Sequence, residues 1–397
     1  MTDEVSGNPV VTRLIRLNEN NPTGKLFMDR ADVPGLVRGK SMEKPPNILL
    51  LCRYTRLGAS SRLRFFQYLP YLEEKGFLVT IRPFFGNNYL AGLYEGKMPV
   101  FSLLKSYVAR FVTMLSAKRF DAIWVEAELF RWLPAWVEDC LFPSGLPLIV
   151  DYDDAIFHWY DAQRFPGFSR FLGQKINRIM AMADLVVVGN DYLGSYAHSA
   201  GARRIKKVPT VVDIDRYYVS VRDAEGPLTI GWIGTPTTAK FLLGIAEVLK
   251  NTVNKYGVRI VAVGSDPKQF RGLPVEVRPW QENTEVMEIQ GFDIGVMPLP
   301  DDPYERGKCG YKLIQYMACG KPVVASPVGV NAEIVRHGDN GFLATTVDEW
   351  IDALSRLIAD SELRSCMGQE GRALVESDYS LQVQAPRLEG MLRSVIS

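Results

Sequence analysis

Short runs of consecutive apolar residues recur along the chain, and each is followed by a turn and by a segment with helical periodicity. Clear examples are Asn47–Cys52, Asp184–Gly189 and Leu228–Ile233. An apolar run of this length, without alternating polar residues, is typical of a parallel strand that is covered on both faces. Two successive sets of these strand–helix units predict an α/β protein with two doubly wound domains, in which ligands bind at the carboxyl ends of the strands.

The length of 397 residues is suited to two domains. A polar stretch, Ser220–Pro227, is predicted to be the linker between them. We therefore expect a first domain over residues 46–218, a second domain over residues 227–378, and a separate C-terminal helix over residues 379–397. Residues 1–45 have a mixed composition with weak periodicity, which predicts a flexible N-terminal extension.

The charge and cysteine patterns exclude several classes of protein. The 46 basic and 45 acidic residues give a net charge of +1, which predicts no general affinity for nucleic acid. The five cysteines are odd in number and lack the CxxC spacing of a structural zinc site or of a disulfide framework. There is no apolar run long enough for a spanning helix and no signal-peptide core, so a cytoplasmic protein is expected.

One predicted helix, Lys105–Arg119, combines basic residues with Phe, Leu, Val and Met. This composition fits a helix that lies on an anionic membrane surface. It also fits an ordinary surface helix packed on the sheet, which is the interpretation we favour at this level. Peripheral contact with the inner face of a membrane therefore stays open from the sequence.

A glycine-rich turn, Gly307–Lys312, lies between a predicted strand and a predicted helix. Such a turn presents backbone N–H groups at a helix N-terminus, which is a favourable place for phosphate oxygens. Lys308 and Lys312 add positive charge to the same place. The pattern is neither a Walker A loop nor GxGxxG, and by itself it also fits a loop with two solvated lysines.

The residues that follow this turn indicate a more specific function for it. Gln315–Gly329, Glu333–Val335 and Gly338–Gly341 together resemble the donor-binding signature of retaining glycosyltransferases of family 4. The resemblance extends to four further segments, which are Arg56–Arg64, Val208–Asp213, Gly234–Lys240 and Asp293–Pro298.

This resemblance implies the GT-B fold, in which two Rossmann-like domains face a central cleft and the last helix returns to the first domain. It implies transfer of a sugar from a nucleotide-sugar donor, with retention of configuration and without a metal or another cofactor. Sugars, lipid-linked intermediates and small molecules are the implied acceptors, in the synthesis of envelope polysaccharide or glycolipid. A nucleotide-sugar epimerase or hydrolase of the same fold, and a non-catalytic nucleotide-sugar-binding protein, are the alternatives.

The resemblance also assigns roles to residues. Lys240 stands at the place of the lysine that neutralises the donor diphosphate, and Asp153 at the place of a histidine near the reacting sugar. Both are predicted to be catalytic, with Asp153 accepting the proton of the acceptor hydroxyl or stabilising charge in the transition state. The predicted donor-binding residues are Gly58, Arg62, Gly234, Thr235, Lys240, Lys308, Gly310, Tyr311, Lys312 and Gln315.

Charged residues in two other segments have more than one interpretation. Asp151 and Asp154 flank Asp153 at the end of a predicted strand, where a metal site is the less favoured interpretation and a helix cap at Asp154 the simpler one. In the first glycine loop, Arg62 is expected to reach into the cleft while Arg64 is solvated.

The sequence departs from the family signature at two carboxylates. The family has two glutamates eight positions apart, and here Gly307 and Gln315 stand in their places. A glutamine still offers hydrogen bonds to a ribose but carries no charge. Glu305 is near the first position but out of register, so either Glu305 takes over its role or sugar recognition differs.

Overall fold

The computed structural model describes residues 44–87, 89, 92, 100–160, 172–220 and 226–396. Pro45–Ser397 forms one compact unit that contains two six-stranded sheets. The predicted N-terminal extension, apart from its last two residues, and residues 221–225 of the predicted linker lie outside the described part of the chain.

Both sheets are parallel at every described pairing of their strands. The first sheet consists of β1 (Asn47–Leu51), β2 (Leu78–Ile81), β3 (Ala122–Glu126), β4 (Leu148–Tyr152), β5 (Leu185–Val188) and β6 (Ile205–Lys207). The second sheet consists of β7 (Thr229–Ile233), β8 (Arg259–Val263), β9 (Val275–Arg278), β10 (Ile294–Met297), β11 (Val323–Ala325) and β12 (Gly341–Leu343).

Helices connect the strands and cover the sheets. The described α-helices are α1 (Ala59–Ser61), α2 (Leu69–Glu74), α3 (Val100–Leu115), α4 (Ala135–Leu141), α5 (Lys175–Met182), α6 (Asp191–Ser199), α7 (Ala239–Leu243), α8 (Ala246–Tyr256), α9 (Glu285–Gln290), α10 (Pro303–Arg306), α11 (Tyr311–Ala318), α12 (Asn331–Ile334), α13 (Val347–Ala359), α14 (Ser361–Asp378) and α15 (Leu381–Ile396). A π-helical turn, Arg62–Phe66, follows α1. The three described 3₁₀ turns are Ala117–Arg119, Ile156–Trp159 and Pro267–Phe270.

The strand order of each sheet shows where a ligand is expected. The first sheet has the order β2-β1-β3-β4-β5-β6, and the second has the order β12-β11-β10-β7-β8-β9. The winding direction therefore reverses beside β1 in the first sheet and beside β7 in the second. Doubly wound sheets bind ligands at the carboxyl ends of the strands at such reversal points. The predicted class, two doubly wound α/β domains, is confirmed.

The apolar runs are explained by burial on both faces of the sheets. In β1, Leu49 and Leu51 belong to the core on one face, and Ile48 and Leu50 to the core on the opposite face. Each of these four side chains is fully buried. A strand with two covered faces has few positions for a polar residue, so its sequence does not alternate between apolar and polar residues.

The C-terminal helix α15 packs against the first sheet. Its residues Ala385, Leu388 and Leu392 belong to the same core as Ile48 and Leu50. The chain therefore completes the second sheet and then returns to cover a face of the first one.

Candidate functional site

The loops that follow β1 and β7 line one cavity of about 190 Å³. The two reversal points thus contribute to a single site between the sheets, as the strand order requires. The lining residues from the first-sheet side are Leu57, Ala59 and Arg62, and those from the second-sheet side are Ile233, Gly234, Thr235, Thr238, Trp280, Glu285, Tyr311, Lys312 and Gln315.

The glycine-rich turn places the N-terminus of α11 at this cavity. Gly310 precedes the helix with φ of 63°, in the left-handed region that favours glycine. A Cβ at this position would also lie 2.5 Å from Cδ1 of Ile334. The positive end of the helix dipole and the first helical residues, Tyr311 and Lys312, therefore face the cavity.

Lys312 is a cation in an unfavourable environment. Burial, together with the charge of Lys308, lowers the pKa of the Lys312 ammonium from 10.5 to about 8. Its Nζ lies 5.7 Å from the ring centroid of Trp232. An anion bound beside it would restore the charge balance, so this side of the cavity is suited to a diphosphate.

A buried carboxylate, Glu285, lies at another side of the cavity. Its Oε2 accepts a hydrogen bond of 2.7 Å from Nε1 of Trp280, and its other oxygen accepts one from the hydroxyl of Tyr217. Nε2 of Gln315 in turn donates to the hydroxyl oxygen of Tyr217 over 2.9 Å. The cavity therefore contains an anionic acceptor next to Gln315, although position 315 carries no charge.

Sequence reasoning missed both Glu285 and Trp280. They follow β9, a strand that the sequence analysis did not identify. The useful signal is their position after the carboxyl end of a strand in the same sheet, which becomes apparent only once β9 is recognised.

Arg62 approaches the cavity from the first-sheet side, as expected. Its side chain is buried, and its Cζ lies 4.9 Å from the ring centroid of Trp280 on the opposite side. Arg56, in the same loop, forms an ion pair of 2.9 Å with Glu282. This loop thus bridges the two sheets beside the cavity.

Arg64 is not solvated, and this expectation was wrong. Its guanidinium is buried and donates two hydrogen bonds, of 2.7 and 3.1 Å, to the carboxylate of Asp151. Burial raises the pKa of Asp151 to about 6, against the opposing effect of Arg64. One of the three aspartates that end β4 therefore has a structural partner in the core.

Two of the predicted donor-binding glycines are required by close packing. A Cβ on Gly58 would lie 2.3 Å from Cβ of Tyr54, and one on Gly234 would lie 2.4 Å from the ring of Trp232. Gly234 lines the cavity together with Thr235, whereas Gly58 lies between two lining residues. Their small size lets the two loops approach the cavity closely.

A second cavity, of about 530 Å³, adjoins the first, since Thr238 lines both. Lys240 and Lys308 line this second cavity and not the first. Its lining residues are Asp154, His158, Trp159, Thr237, Thr238, Lys240, Phe241, Tyr304, Glu305 and Lys308. The predicted cations are thus divided, with Lys312 in the first cavity and the other two in the second.

Asp154 links the two sheets at the second cavity. Its carboxylate lies 3.5 Å from Nζ of Lys308 and accepts a hydrogen bond of 3.3 Å from the hydroxyl of Tyr304. Burial raises the pKa of Asp154, and Lys308 opposes this effect. The following 3₁₀ turn has Ala155, and not Asp154, as its N-cap residue.

Asp153 lies between the two sheets but lines neither cavity. Its carboxylate accepts a hydrogen bond from the hydroxyl of Ser60, and its carbonyl oxygen accepts one of 3.0 Å from Sγ of Cys309. The side chain is therefore held in place at the junction, near Asp154.

Packing between the halves explains the glycine at position 307. A Cβ on Gly307 would lie 2.4 Å from Cβ of Ala155 and 2.8 Å from its backbone nitrogen. A glutamate has no room there. Glu305, two residues earlier, is buried and lines the second cavity, so a carboxylate is present near the place where the family signature has one.

The described residues contain no group of three or more histidine, cysteine, aspartate and glutamate side chains arranged to hold a metal ion. Within the same ranges, no helix is both long enough and apolar enough to span a membrane.

One family model matches about a third of the chain, within its second half. Residues 227–360 match the family model described as glycosyl transferases group 1. This range contains β7 to β12 and most of the lining of both cavities.

Curated relatives carry related names. An N-acetyl-alpha-D-glucosaminyl L-malate synthase from Bacillus anthracis is 34% identical over 77 residues, which are 19% of this chain and 20% of the relative. A D-inositol 3-phosphate glycosyltransferase from Mycobacterium tuberculosis is 25% identical over 227 residues, which are 50% of this chain and 44% of the relative. The matches thus span less than half the length of these relatives.

Solved structures share the fold over most of the chain. Alr3699/HepE from Anabaena, in complex with UDP, has a TM-score of 0.63 at 17% identity and covers 88% of this chain and 100% of its own. Sucrose-phosphate synthase from Thermosynechococcus elongatus has a TM-score of 0.66 at 17% identity, with 88% and 98% covered. The predicted GT-B fold, two Rossmann-like domains on either side of a cleft, is confirmed.

Proposed function

We propose that this protein is a retaining glycosyltransferase of family 4, which transfers a sugar from a nucleotide-sugar donor to an acceptor. The observation that carries the proposal is the first cavity. The loops after β1 and β7, at the two reversal points, line this cavity together with the N-terminus of α11 and Lys312. The match to glycosyl transferases group 1 over residues 227–360 supports the activity. The UDP bound to Alr3699/HepE supports a nucleotide-sugar as donor.

In this proposal the donor diphosphate lies at the N-terminus of α11, beside Lys312 and the hydroxyl of Thr235. The ribose hydroxyls donate to the carboxylate of Glu285 and hydrogen-bond to the amide of Gln315. A carboxylate beside a vicinal diol accepts charge-assisted hydrogen bonds, and the positive helix end stabilises phosphate charge. In this proposal, the ribose and the diphosphate of the donor thus both have hydrogen-bonding or charged partners in the first cavity.

The transferred sugar and the acceptor occupy the second cavity. Negative charge develops on the leaving diphosphate, and cations fixed near it lower the barrier. Lys240 and Lys308 supply that charge from the second cavity, while Lys312 supplies it from the first. Asp153, held by Ser60 beside Asp154, accepts the acceptor proton or stabilises the transition state, and this role requires its carboxylate to turn toward the second cavity when the donor binds. No metal or other cofactor takes part in this scheme.

The acceptor is a hydroxyl of a sugar, a lipid-linked intermediate or a small molecule, in the synthesis of envelope polysaccharide or glycolipid. Relatives named for D-inositol 3-phosphate and L-malate support testing small hydroxylated acceptors as well. We place the reaction in the cytoplasm, since all five cysteines are free, as a reducing compartment favours.

Thermal-shift screening with UDP-, GDP-, ADP- and dTDP-sugars identifies the donor, and a transfer assay with that donor then tests the function. We expect one nucleotide to stabilise the protein and a glycosylated product with the anomeric configuration of the donor. Lys312→Met is expected to lower donor affinity about tenfold or more through loss of a charged phosphate contact. Lys250→Met, on the exposed face of α8, is the matched control and is expected to bind as the wild type does.

Incubation of the donor without an acceptor separates the proposal from its alternatives. Rapid release of free sugar, or conversion of the donor to its epimer, would show a hydrolase or an epimerase of the same fold. Donor binding without any product, across the acceptor classes named above, would show a binding protein. Failure of every nucleotide-sugar to stabilise the protein would contradict the site itself.

A further inference from the structure

Helix α3 exposes a continuous apolar face. The sequence favoured a helix packed on the sheet, yet the buried side of α3 accounts for only part of its apolar residues. Large exposed fractions, from 46% to 84%, occur at seven positions of this helix: Val100, Phe101, Leu104, Val108, Phe111, Val112 and Leu115. Their spacing of three and four residues places them on one face.

The opposite side of α3 is anchored to the first sheet. Arg110 is buried and donates hydrogen bonds to the carbonyl oxygens of Cys52 and Arg82, at 2.9 and 3.1 Å. Met114 is buried in the core of the first sheet. Packing therefore fixes which face of the helix is exposed. Monomeric proteins rarely expose contiguous apolar patches of more than a few hundred Å² without an interaction that uses them.

The charges on α3 and on the turn that follows it are all of one sign. Residues 100–120 contain no aspartate or glutamate, while Lys105, Lys118 and Arg119 are exposed on or directly after α3. A second copy of the helix would bring these cations together without acidic partners. An anionic lipid surface accepts both the apolar side chains and the flanking cations.

Exposed tryptophans lie on the segments that pack beside α3. Trp132 precedes α4 and Trp136 lies within it, with exposed fractions of 42% and 60%. The helices α3 and α4 are in contact, and the hydroxyl of Tyr107 donates to the carbonyl oxygen of Arg131. Tryptophan is enriched where protein meets the headgroup region of a bilayer.

We propose that α3, together with Trp132 and Trp136, docks the protein on the surface of an anionic phospholipid bilayer. The helix lies in the plane of the interface, with its apolar face among the acyl chains and with Lys105, Lys118 and Arg119 at the headgroups. The docking surface is connected to the second cavity through Arg131, whose Cζ lies 4.6 Å from the ring centroid of Trp159. Membrane docking does not depend on the sugar transfer proposed above.

Vesicle flotation of the full chain tests this proposal. We expect the protein to float with phosphatidylcholine vesicles that contain phosphatidylglycerol, and the bound fraction to fall as salt is added. Leu104→Gln combined with Val108→Gln is expected to weaken binding about tenfold or more, because two exposed apolar side chains that would enter the bilayer are lost. Lys105→Gln combined with Lys118→Gln is expected to weaken it about fivefold for each cation removed.

Val347→Gln, at an exposed apolar residue that begins α13, is the matched control and is expected to float as the wild type does. Thermal melting shows that each variant is folded. The proposal is overturned if the wild type does not float with the vesicles that contain phosphatidylglycerol, or if the α3 variants float as well as the wild type. It is also overturned if the wild type is a dimer that the apolar variant dissociates, since a second copy then occupies the face. Flotation needs no donor or acceptor, so its result is separate from that of the transfer assay.

Discussion

At the scale of single residues, the candidate site combines groups that lie far apart in the sequence. Lys312 brings a cation to the first cavity, and Glu285 brings a carboxylate to the same space. Gln315 reaches Glu285 only through the hydroxyl of Tyr217. Recognition of a nucleoside diphosphate, in our proposal, depends on these separated charges.

Donor binding is expected to weaken as the pH rises through about 8. The pKa of Lys312 lies near 8 in the folded protein, below its usual value of 10.5, so the ammonium is present below pH 8 and is lost above it. The affinity for a nucleoside diphosphate should then fall by up to about tenfold per pH unit above 8. Calorimetric titration with the donor nucleotide from neutral to alkaline pH measures this change. If Lys312→Met shows the same pH profile as the wild type, another group is responsible.

Glu285→Gln is expected to lower donor affinity about tenfold, because a charge-assisted hydrogen bond to the ribose is replaced by a neutral one. The amide keeps an oxygen that can accept the Trp280 hydrogen bond, so the cavity should retain its shape. Glu282→Gln is the control, since that carboxylate pairs with Arg56 and does not line the first cavity. Equal affinities in the wild type and Glu285→Gln would refute the assignment of the ribose.

At the scale of secondary-structure elements, the last helix contributes to a core that it does not adjoin in sequence. The helix α15 supplies Ala385, Leu388 and Leu392 to one face of the first sheet. The hydroxyl of Tyr71 donates to Glu389 over 2.9 Å, which connects α15 with α2. The hydrophobic core on this face of the first sheet is therefore complete only when the C-terminal helix is in place.

Leu388→Ala is expected to destabilise the protein by about 2–5 kcal/mol, since a fully buried leucine leaves a cavity behind. Urea unfolding followed by circular dichroism measures the change. Arg387→Ala, at the exposed neighbouring position, should change the free energy of unfolding by less than about 0.5 kcal/mol. A small effect of Leu388→Ala would mean that α15 is not part of the cooperative core.

At the scale of the whole molecule, the contact between the two sides of the cleft depends in part on a glycine that lets two backbone segments approach closely. Gly307 lies against Ala155, and Nδ2 of Asn190 donates to the carbonyl oxygens of Gly307 and Lys308. These contacts hold the two sides of the cleft together beside the second cavity.

Gly307→Ala is expected to separate the two sheets, because the new Cβ would overlap Ala155. Small-angle scattering should show a larger radius of gyration, and donor affinity should fall, while each sheet keeps its secondary structure. Gly86→Ala is the control, since no described heavy atom lies within 4 Å of the position that its new methyl group would occupy. Unchanged scattering and affinity in Gly307→Ala would show that the interface can adapt.

The sequence by itself determined the architecture and the location of the glycine-rich turn at the first cavity. Runs such as the one that follows Asn47, up to Cys52, are apolar because both faces of the sheet are covered, and that pattern is local. The turn before Lys312 was equally recognisable, since its glycines and its helix adjoin in sequence. The resemblance then predicted the GT-B fold, which the solved structures confirm.

Only the tertiary structure decided how the charges are distributed. It paired Arg64 with Asp151 in the core, placed Lys240 and Lys308 in a different cavity from Lys312, and brought Glu285 beside Gln315. It also left one face of α3 exposed. Burial and charge pairing depend on residues that meet across loops and between sheets, and local sequence patterns carry no information about such distant partners.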